Sequence, residues 1–146
     1  MPSLQETQLV YAEGYEPVEE LAMRYSLFYN YPDSVFLEEQ YLYTDLIKNG
    51  MFHKMANAYI IECSMDGRLD DTLHATISLD RGHNNALVTS ICEHDGVRNV
   101  IKRAVYKEGI HKLKEMQDNL DDLHTRGINV VDSSIENDTF IMPYVD

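Results

Sequence analysis

The middle of the chain alternates between apolar and polar residues, a pattern typical of β-strands. The alternation is strict over residues 72–79, where Leu73, Ala75, Ile77 and Leu79 share one face. Because successive side chains of a strand point to opposite faces, the polar residues between them share the other face. This pattern predicts a strand with one buried face and one face open to solvent. Further strands are predicted at residues 58–65, 86–92, 128–131 and 139–145.

Apolar residues recur at helical spacing in two segments of the N-terminal third. The first predicted helix begins at Pro17, a residue suited to the first helical turn, and ends before Pro32. The second helix follows a polar cap at residues 33–34. It ends at Asn49-Gly50, because glycine readily adopts the conformation that terminates a helix.

A third, longer helix is predicted after Asp95-Gly96, with Asp95 as its cap and Arg126-Gly127 as its end. Gly109 falls inside this helix, where a glycine costs about 1 kcal/mol relative to alanine. The apolar stripe changes its angular position near this glycine, which predicts a bend.

The order of these elements predicts an α+β fold. Two helices precede an antiparallel meander of three or more strands, and one long helix and one or two C-terminal strands follow it. The helices are expected to pack on one face of the sheet, and Pro143 predicts that the last strand lies at an edge. The 146 residues suit a single domain, with residues 1–15 as a loose arm or a short edge strand.

The chain is strongly acidic, with a formal net charge of −13. Residues 1–50 and 115–146 each carry −7, whereas residues 97–114 carry +5. This balance disfavours direct binding to nucleic acids and to anionic membranes, which requires clustered Lys and Arg. We expect no secretory signal, and no apolar run approaches the roughly 20 residues that span a bilayer. The two cysteines favour a cytoplasmic location.

Histidines concentrate in the central region and raise the question of a metal or catalytic site. His74, His83, Cys92 and His94 are separated by 9, 9 and 2 residues, which matches no standard zinc spacing. We therefore expect solvated strand and loop histidines, with no metal, no cofactor and no catalytic residue. Cys63 and Cys92 lie in alternating, apolar contexts, which favour buried structural thiols.

The alternation groups His74, Thr76 and Ser78 into one polar strip on a strand face. His74-Ala75-Thr76 resembles one of the two His-x-Thr units of the 2H phosphoesterases, whose paired histidines act as acid and base on a cyclic phosphodiester. None of the other five histidines begins such a unit, so the family is not assigned. The strip remains the centre of an alternative hypothesis, a small hydrolase or metal-dependent enzyme.

Basic residues concentrate on the first half of the long predicted helix. Arg103, Lys107, His111 and Lys114 lie four, four and three residues apart, which places them on one stripe. A helix, three strands and a basic helix resemble the double-stranded RNA-binding domain in element order alone, and the acidic flanks oppose RNA binding. The stripe is expected to be a solvated face, a face paired with the protein's own carboxylates, or a docking surface for an acidic partner or a second copy of the chain.

Acidic residues and tyrosines supply further interaction candidates. Arrayed carboxylates can imitate a phosphate backbone, and tyrosine is enriched at protein interfaces. The candidate residues are Glu19, Glu20, Tyr25, Tyr29, Tyr31, Glu38, Glu39, Arg103, Lys107, Lys114, Asp118, Asp121 and Asp122.

These surfaces favour a non-enzymatic role through protein–protein contact. The leading hypothesis is a small acidic regulator or inhibitor, of the kind encoded by phages or mobile elements. It would bind a basic surface of a larger protein, such as a nucleic-acid-binding groove. A homo-oligomeric structural subunit, with the N-terminal tyrosines at its interface, is a further alternative.

Overall fold

The structure, a computed structural model, describes residues 9–17, 39–56, 58–77 and 82–145. These residues belong to two compact units. One unit spans residues 13–60, and the other combines the residues up to Ala12 with those from Ile61 onward. The first predicted helix lies outside the described residues, apart from its first residue. The single-domain organisation stays a prediction.

The larger unit is built on a sheet of six antiparallel strands, which confirms the predicted α+β class. The strands are β1 (Leu9–Tyr11), β2 (Thr72–Ile77), β3 (Leu87–His94), β4 (Val97–Ala104), β5 (Ser134–Glu136) and β6 (Thr139–Pro143). They lie in the order β1-β2-β3-β4-β6-β5. Among the described residues, the helices are α1 (Glu39–Lys48) in the smaller unit and α2 (Ile110–Thr125) in the larger one. Short 3-10 turns cover His53–Met55, His83–Asn85 and Lys107–Gly109.

A hydrophobic core lies between α2 and the sheet. Leu113 on α2 and Phe140 on β6 are fully buried and pack with Leu87 on β3. Met116 and Leu120 are partly buried against this cluster. Because Leu113, Met116 and Leu120 recur three and four residues apart, they form the apolar side of an amphipathic helix. That side holds α2 against β4, β5 and β6.

The predicted long helix is wrong over its first half, because Val97–Ala104 form β4. Asp95 and Gly96 have φ angles of 50° and 77°, and they form the two-residue turn that places His94 opposite Val97. An Asp-Gly pair suits this turn because both residues tolerate positive φ. The β-branched residues that follow the turn fit a pleated strand better than a helix.

Gly109 lies at the start of α2, so the bend predicted there is wrong. The residue is buried, and a Cβ atom added to it would lie 3.2 Å from the Cβ of Ala104 and 3.4 Å from the carbonyl oxygen of Ala86. Glycine at this position therefore permits the close approach of the helix start to the ends of β3 and β4.

The Asp95-Gly96 turn can be tested with a substitution that should lower the stability of a hairpin and raise the stability of a helix. Gly96→Ala should destabilise the protein by about 1–2 kcal/mol, because alanine is disfavoured at a φ of 77°. In the first turn of a helix, the same change would stabilise the protein by up to about 1 kcal/mol. Urea unfolding gives the sign. Asp95→Gly is the control, since it keeps the turn permissive and should change stability by about 0.5 kcal/mol or less.

The strand predicted over residues 58–65 is wrong, because residues 58–71 have no regular secondary structure. Ile61 and Met65, which should share a buried face, are 84% and 106% exposed. Gly67 has a φ of 77° and lies in a bend, but no hairpin forms around it. The physical reason is that both edges of β2 are already paired, with β1 on one side and with β3 on the other. Residues 58–65 therefore have no free edge of β2 to pair with.

The C-terminal strands differ from the prediction in position and in order. Residues 128–131 are not a strand, and a turn at Asn137-Asp138, with φ angles of 49° and 58°, joins β5 to β6. The predicted strand at the C-terminal end is confirmed as β6, but its predicted edge position is wrong, because it lies between β4 and β5. Pro143 is tolerated there because it lies opposite Asn99 on β4 and beyond the end of the short β5.

The end of α1 is confirmed at Asn49-Gly50. Gly50 has a φ of 62°, and its N–H donates to the carbonyl oxygen of Ile47 at 2.9 Å. The Asn49 side chain donates to the carbonyl oxygen of Asp45 at 2.7 Å. The Gly50 bond satisfies the carbonyl group of Ile47, and the Asn49 side chain adds a second donor to the Asp45 carbonyl oxygen, which also accepts the Asn49 N–H at 3.1 Å. The predicted start of this helix, at residues 33–34, lies outside the described residues.

Candidate functional site

His74, the centre of the predicted polar strip, is 5% exposed. Its Nδ1 lies 3.0 Å from the carbonyl oxygen of Val10 on β1, and its Nε2 lies 3.0 Å from Oγ1 of Thr76. Because a carbonyl oxygen can only accept, Nδ1 carries a proton and donates it to Val10; Nε2 accepts the Thr76 hydroxyl when the ring is neutral and donates to it when the ring is charged. The imidazole also stacks on the Tyr11 ring, with centroids 4.5 Å apart and planes 14° from parallel.

The predicted solvated character of this strip is wrong for His74. Neighbouring positions of β2, His74 and Ala75, are both buried, so neither face of the strand is open at this point. The alternation therefore shows which side chains of β2 share a face, but it does not show whether that face is exposed. A buried imidazole with hydrogen bonds at both nitrogens fits a structural role in joining β1 to β2 better than proton transfer to a substrate. Ser78 lies outside the described residues.

Two other central histidines lie on the surface. His94 is 80% exposed at its side chain, and its ring nitrogens lie 3.7 Å from an Asp71 oxygen and 3.6 Å from an Asp95 oxygen. His83 stacks on the ring of Tyr106 at a centroid distance of 3.7 Å. Within residues 9–17, 39–56, 58–77 and 82–145, no three His, Cys, Asp or Glu side chains are placed to hold a metal ion.

The two cysteines occupy opposite environments. Cys92 is buried beside Thr72, whose Oγ1 lies 3.5 Å from its Sγ. Burial raises the pKa of the Cys92 thiol, which lowers the fraction of reactive thiolate at neutral pH. Cys63 is exposed, so the prediction of a buried thiol is wrong there, because its segment is not part of the sheet.

The predicted basic stripe is not one helical surface. Arg103 lies on β4, Lys107 lies in a 3-10 turn and Lys114 lies on α2, because the segment is divided between strand and helix. Arg98 pairs with Glu93 across the β3–β4 hairpin, with Nε 2.6 Å from the carboxylate. The likeness in element order to the double-stranded RNA-binding domain is also wrong, since the basic segment begins with a strand.

Three predicted candidates do share one surface, the acidic face of α2, formed by Asp118, Asp121 and Asp122. All three are exposed. Their spacing of three and four residues keeps them adjacent on the side of α2 opposite its apolar side. An Asp121 oxygen accepts a hydrogen bond from Gln117 at 2.9 Å, and Asp122 pairs with Arg126 at 2.7 Å. These contacts orient two of the carboxylates.

The remaining candidates lie in parts of the chain that the structure does not describe, and their roles stay predictions. These residues are Glu19, Glu20, Tyr25, Tyr29, Tyr31 and Glu38. Glu39 is the first residue of α1, and its side chain likewise lies outside the description.

One further surface, the apolar loop (Ile61–Asp71), is not indicated by the hydrophobic pattern of the sequence. Its apolar residues suggest a buried strand face, but the structure leaves them exposed. Residues 62–71 contain four carboxylates and one basic residue, but of the four only Glu62 lies within the predicted strand, so charge did not indicate that this strand is absent.

Two clefts in the described surface hold about 210 and 230 Å³. Pockets for small molecules typically hold roughly 300–1,000 Å³. Neither of these two clefts reaches that size.

Comparison of the chain with protein-family models, with curated proteins and with solved structures found no match. The described helices include none that is long and apolar enough to cross a membrane.

Proposed function

We propose that the chain is a small acidic regulator or inhibitor that binds a basic surface of a larger protein. The acidic face of α2 carries this proposal, because Asp118, Asp121 and Asp122 stand together on an exposed helix side. Leu113 and Phe140 fix that helix on the sheet. Carboxylates on a fixed helix lose little conformational freedom on binding, which favours a specific contact.

The charge of the segment from residue 115 onward, which carries this face, supports the same partner chemistry. Residues 115–146 carry eight acidic side chains and one basic side chain, Arg126. A field of one sign accelerates encounter with an oppositely charged surface and disfavours partners of like charge. Because carboxylates in a row resemble the phosphates of a nucleic acid, we propose the basic groove of a nucleic-acid-binding protein as the target.

We further propose a cytoplasmic location for this activity. Cys63 and Cys92 are both free thiols. Free thiols persist in reducing compartments, whereas oxidising compartments favour disulfides.

A salt titration of the complex tests the proposed function. The partner is recovered from an extract of the native host at low salt, purified, and its Kd measured between about 50 and 200 mM salt. Replacing the acidic face with Asp118→Asn, Asp121→Asn and Asp122→Asn should raise Kd by about tenfold at low salt. The same variant should flatten the dependence of log Kd on log salt concentration, because fewer ion contacts form.

A matched control removes three charges elsewhere in the described surface. Glu13→Gln, Asp95→Asn and Glu108→Gln change the net charge equally, and all three residues are exposed. This control should raise Kd by less than about threefold, since none of its three residues belongs to the acidic face and single exposed charges contribute little. A complex indifferent to salt, or equal effects of both triple variants, would contradict the proposal.

A further inference from the structure

The apolar loop presents large hydrophobic side chains to solvent. Ile61, Met65 and Leu69 are 84%, 106% and 65% exposed. Exposed apolar residues of folded proteins are normally scattered singly, whereas these three recur every four residues along one loop. A concentration of this kind is typical of a contact site.

Polar atoms of the same loop fix the path of its backbone. Both oxygens of the Glu62 carboxylate lie 3.1 Å from the Asp70 nitrogen, whose N–H they accept, and this contact closes the loop at its base. Near the tip, Oδ1 of Asp66 accepts the Ser64 hydroxyl at 2.5 Å and the Arg68 N–H at 3.1 Å. The Ser64 hydroxyl, followed by the Arg68 N–H, lowers the pKa of Asp66, which keeps this carboxylate ionised at neutral pH. The carboxylates thus bind the loop's own backbone and leave the apolar side chains outward.

The sheet anchors the C-terminal end of the loop. The Thr72 N–H donates to Asp70 Oδ1 at 2.7 Å, and the Asp71 carbonyl oxygen accepts the Glu93 N–H of β3 at 3.0 Å. A loop held in this way needs little further ordering when it binds, which lowers the entropic cost of association.

The charge of the loop indicates which kind of partner it can bind. Residues 62–71 carry four carboxylates and only Arg68 as a basic residue, a net charge of −3. A cleft bordered by Lys and Arg complements this charge. Two copies of the chain, each with a net charge of −13, would repel each other, and an anionic membrane would repel the loop as well.

We infer that the apolar loop is a docking site whose Ile61, Met65 and Leu69 enter an apolar cleft, rimmed by Lys and Arg, on a partner protein. The inference rests on the proposed function only for the sign of the partner's charge. The loop and the acidic face of α2 are formed by different residues, so each can be altered separately.

Photocrosslinking in the native host tests this inference. The photoreactive residue p-benzoylphenylalanine is incorporated in place of Met65 or of Leu69, and as a control in place of Val145, which is 72% exposed. The first two positions should crosslink to one protein, at residues of an apolar cleft bordered by Lys or Arg, and the control position should not.

Affinity measurements with the purified crosslinked partner provide the second readout. Met65→Ser combined with Leu69→Ser should raise Kd by about tenfold or more, mainly through faster dissociation. The dependence of log Kd on log salt concentration should stay unchanged. Val145→Ser combined with Ile128→Ser is the matched control, because both residues are exposed and apolar, and it should stay within about twofold. Circular dichroism verifies that each variant retains its fold.

Several results would overturn the inference. They are the absence of a crosslink, crosslinks between copies of the chain or to lipid, equal crosslinking from position 145, and serine variants with wild-type affinity. The proposed function fails separately, through an unchanged salt slope in the asparagine variants. If those variants bind normally while the serine variants do not, the loop inference stands and the acidic-face proposal falls.

Discussion

Phe140→Ala is expected to lower the free energy of unfolding by about 3–5 kcal/mol. Phe140 is fully buried and packs with Leu113 and Leu87, so truncation removes buried apolar surface and leaves a cavity between α2 and the sheet. The cavity adds to the lost transfer free energy because close-packed surroundings relax only partly. An effect of this size is a large share of the total stability of a typical domain, about 5–15 kcal/mol.

Urea unfolding followed by circular dichroism measures this effect. Phe140→Leu is the second variant, since it retains most of the volume and should cost less, about 1–1.5 kcal/mol. Val145→Ala serves as the exposed control and should change stability by less than about 0.5 kcal/mol. A loss below about 1 kcal/mol for Phe140→Ala would contradict the described packing of α2 on the sheet.

His74→Ala should destabilise the protein by about 2–4 kcal/mol, an unusually large effect for a histidine. The change removes the hydrogen bonds to Val10 and Thr76, worth about 1 kcal/mol each. It also removes the stack on Tyr11 and opens a cavity beside β1. These losses add because they fall on one side chain that is 5% exposed.

His94→Ala is the matched control for this prediction. The side chain of His94 is 80% exposed, and its removal should change stability by about 0.5 kcal/mol or less. Thr76→Val isolates one hydrogen bond and should cost about 1 kcal/mol. Equal stabilities of the His74 and His94 variants at neutral pH would show that His74 does not hold β1 against β2.

Local patterns predicted β2 and β3, but they failed over residues 58–65, where the alternating segment has no partner strand, and over residues 97–104, where two interpretations coexist. β2 was predicted from strict period-two alternation, β3 from an apolar run with less clear faces, and the end of α1 from Asn49-Gly50. In Val97–Ala104, Val97, Val100, Ile101 and Ala104 also recur at helical spacing, and Asp95 suits either a helix cap or a turn. Residues 97–104 form a strand because they pair with β3 and β6. A local sequence pattern cannot show this pairing, because the partner residues lie elsewhere in the chain.

The candidate surfaces were predictable to different degrees for the same reason. Helical spacing alone brings Asp118, Asp121 and Asp122 together, so the acidic face of α2 follows from sequence. The burial of His74 depends on β1, which lies far away in the chain. Exposure of Met65 depends on β2 pairing with other strands, so the apolar loop could not be found from its own residues.

The pairing of β1 with β2 must wait until β2 has been synthesised. Tyr11 and His74 lie opposite each other although 63 positions separate them along the chain. At about 5–20 residues per second, the ribosome completes β2 roughly 3–13 s after β1. The whole of residues 13–60 is made in that interval, whereas β3 and β4 can pair soon after synthesis. A nascent-chain factor that recognises the first residues therefore has seconds in which to act before β2 exists to compete for β1.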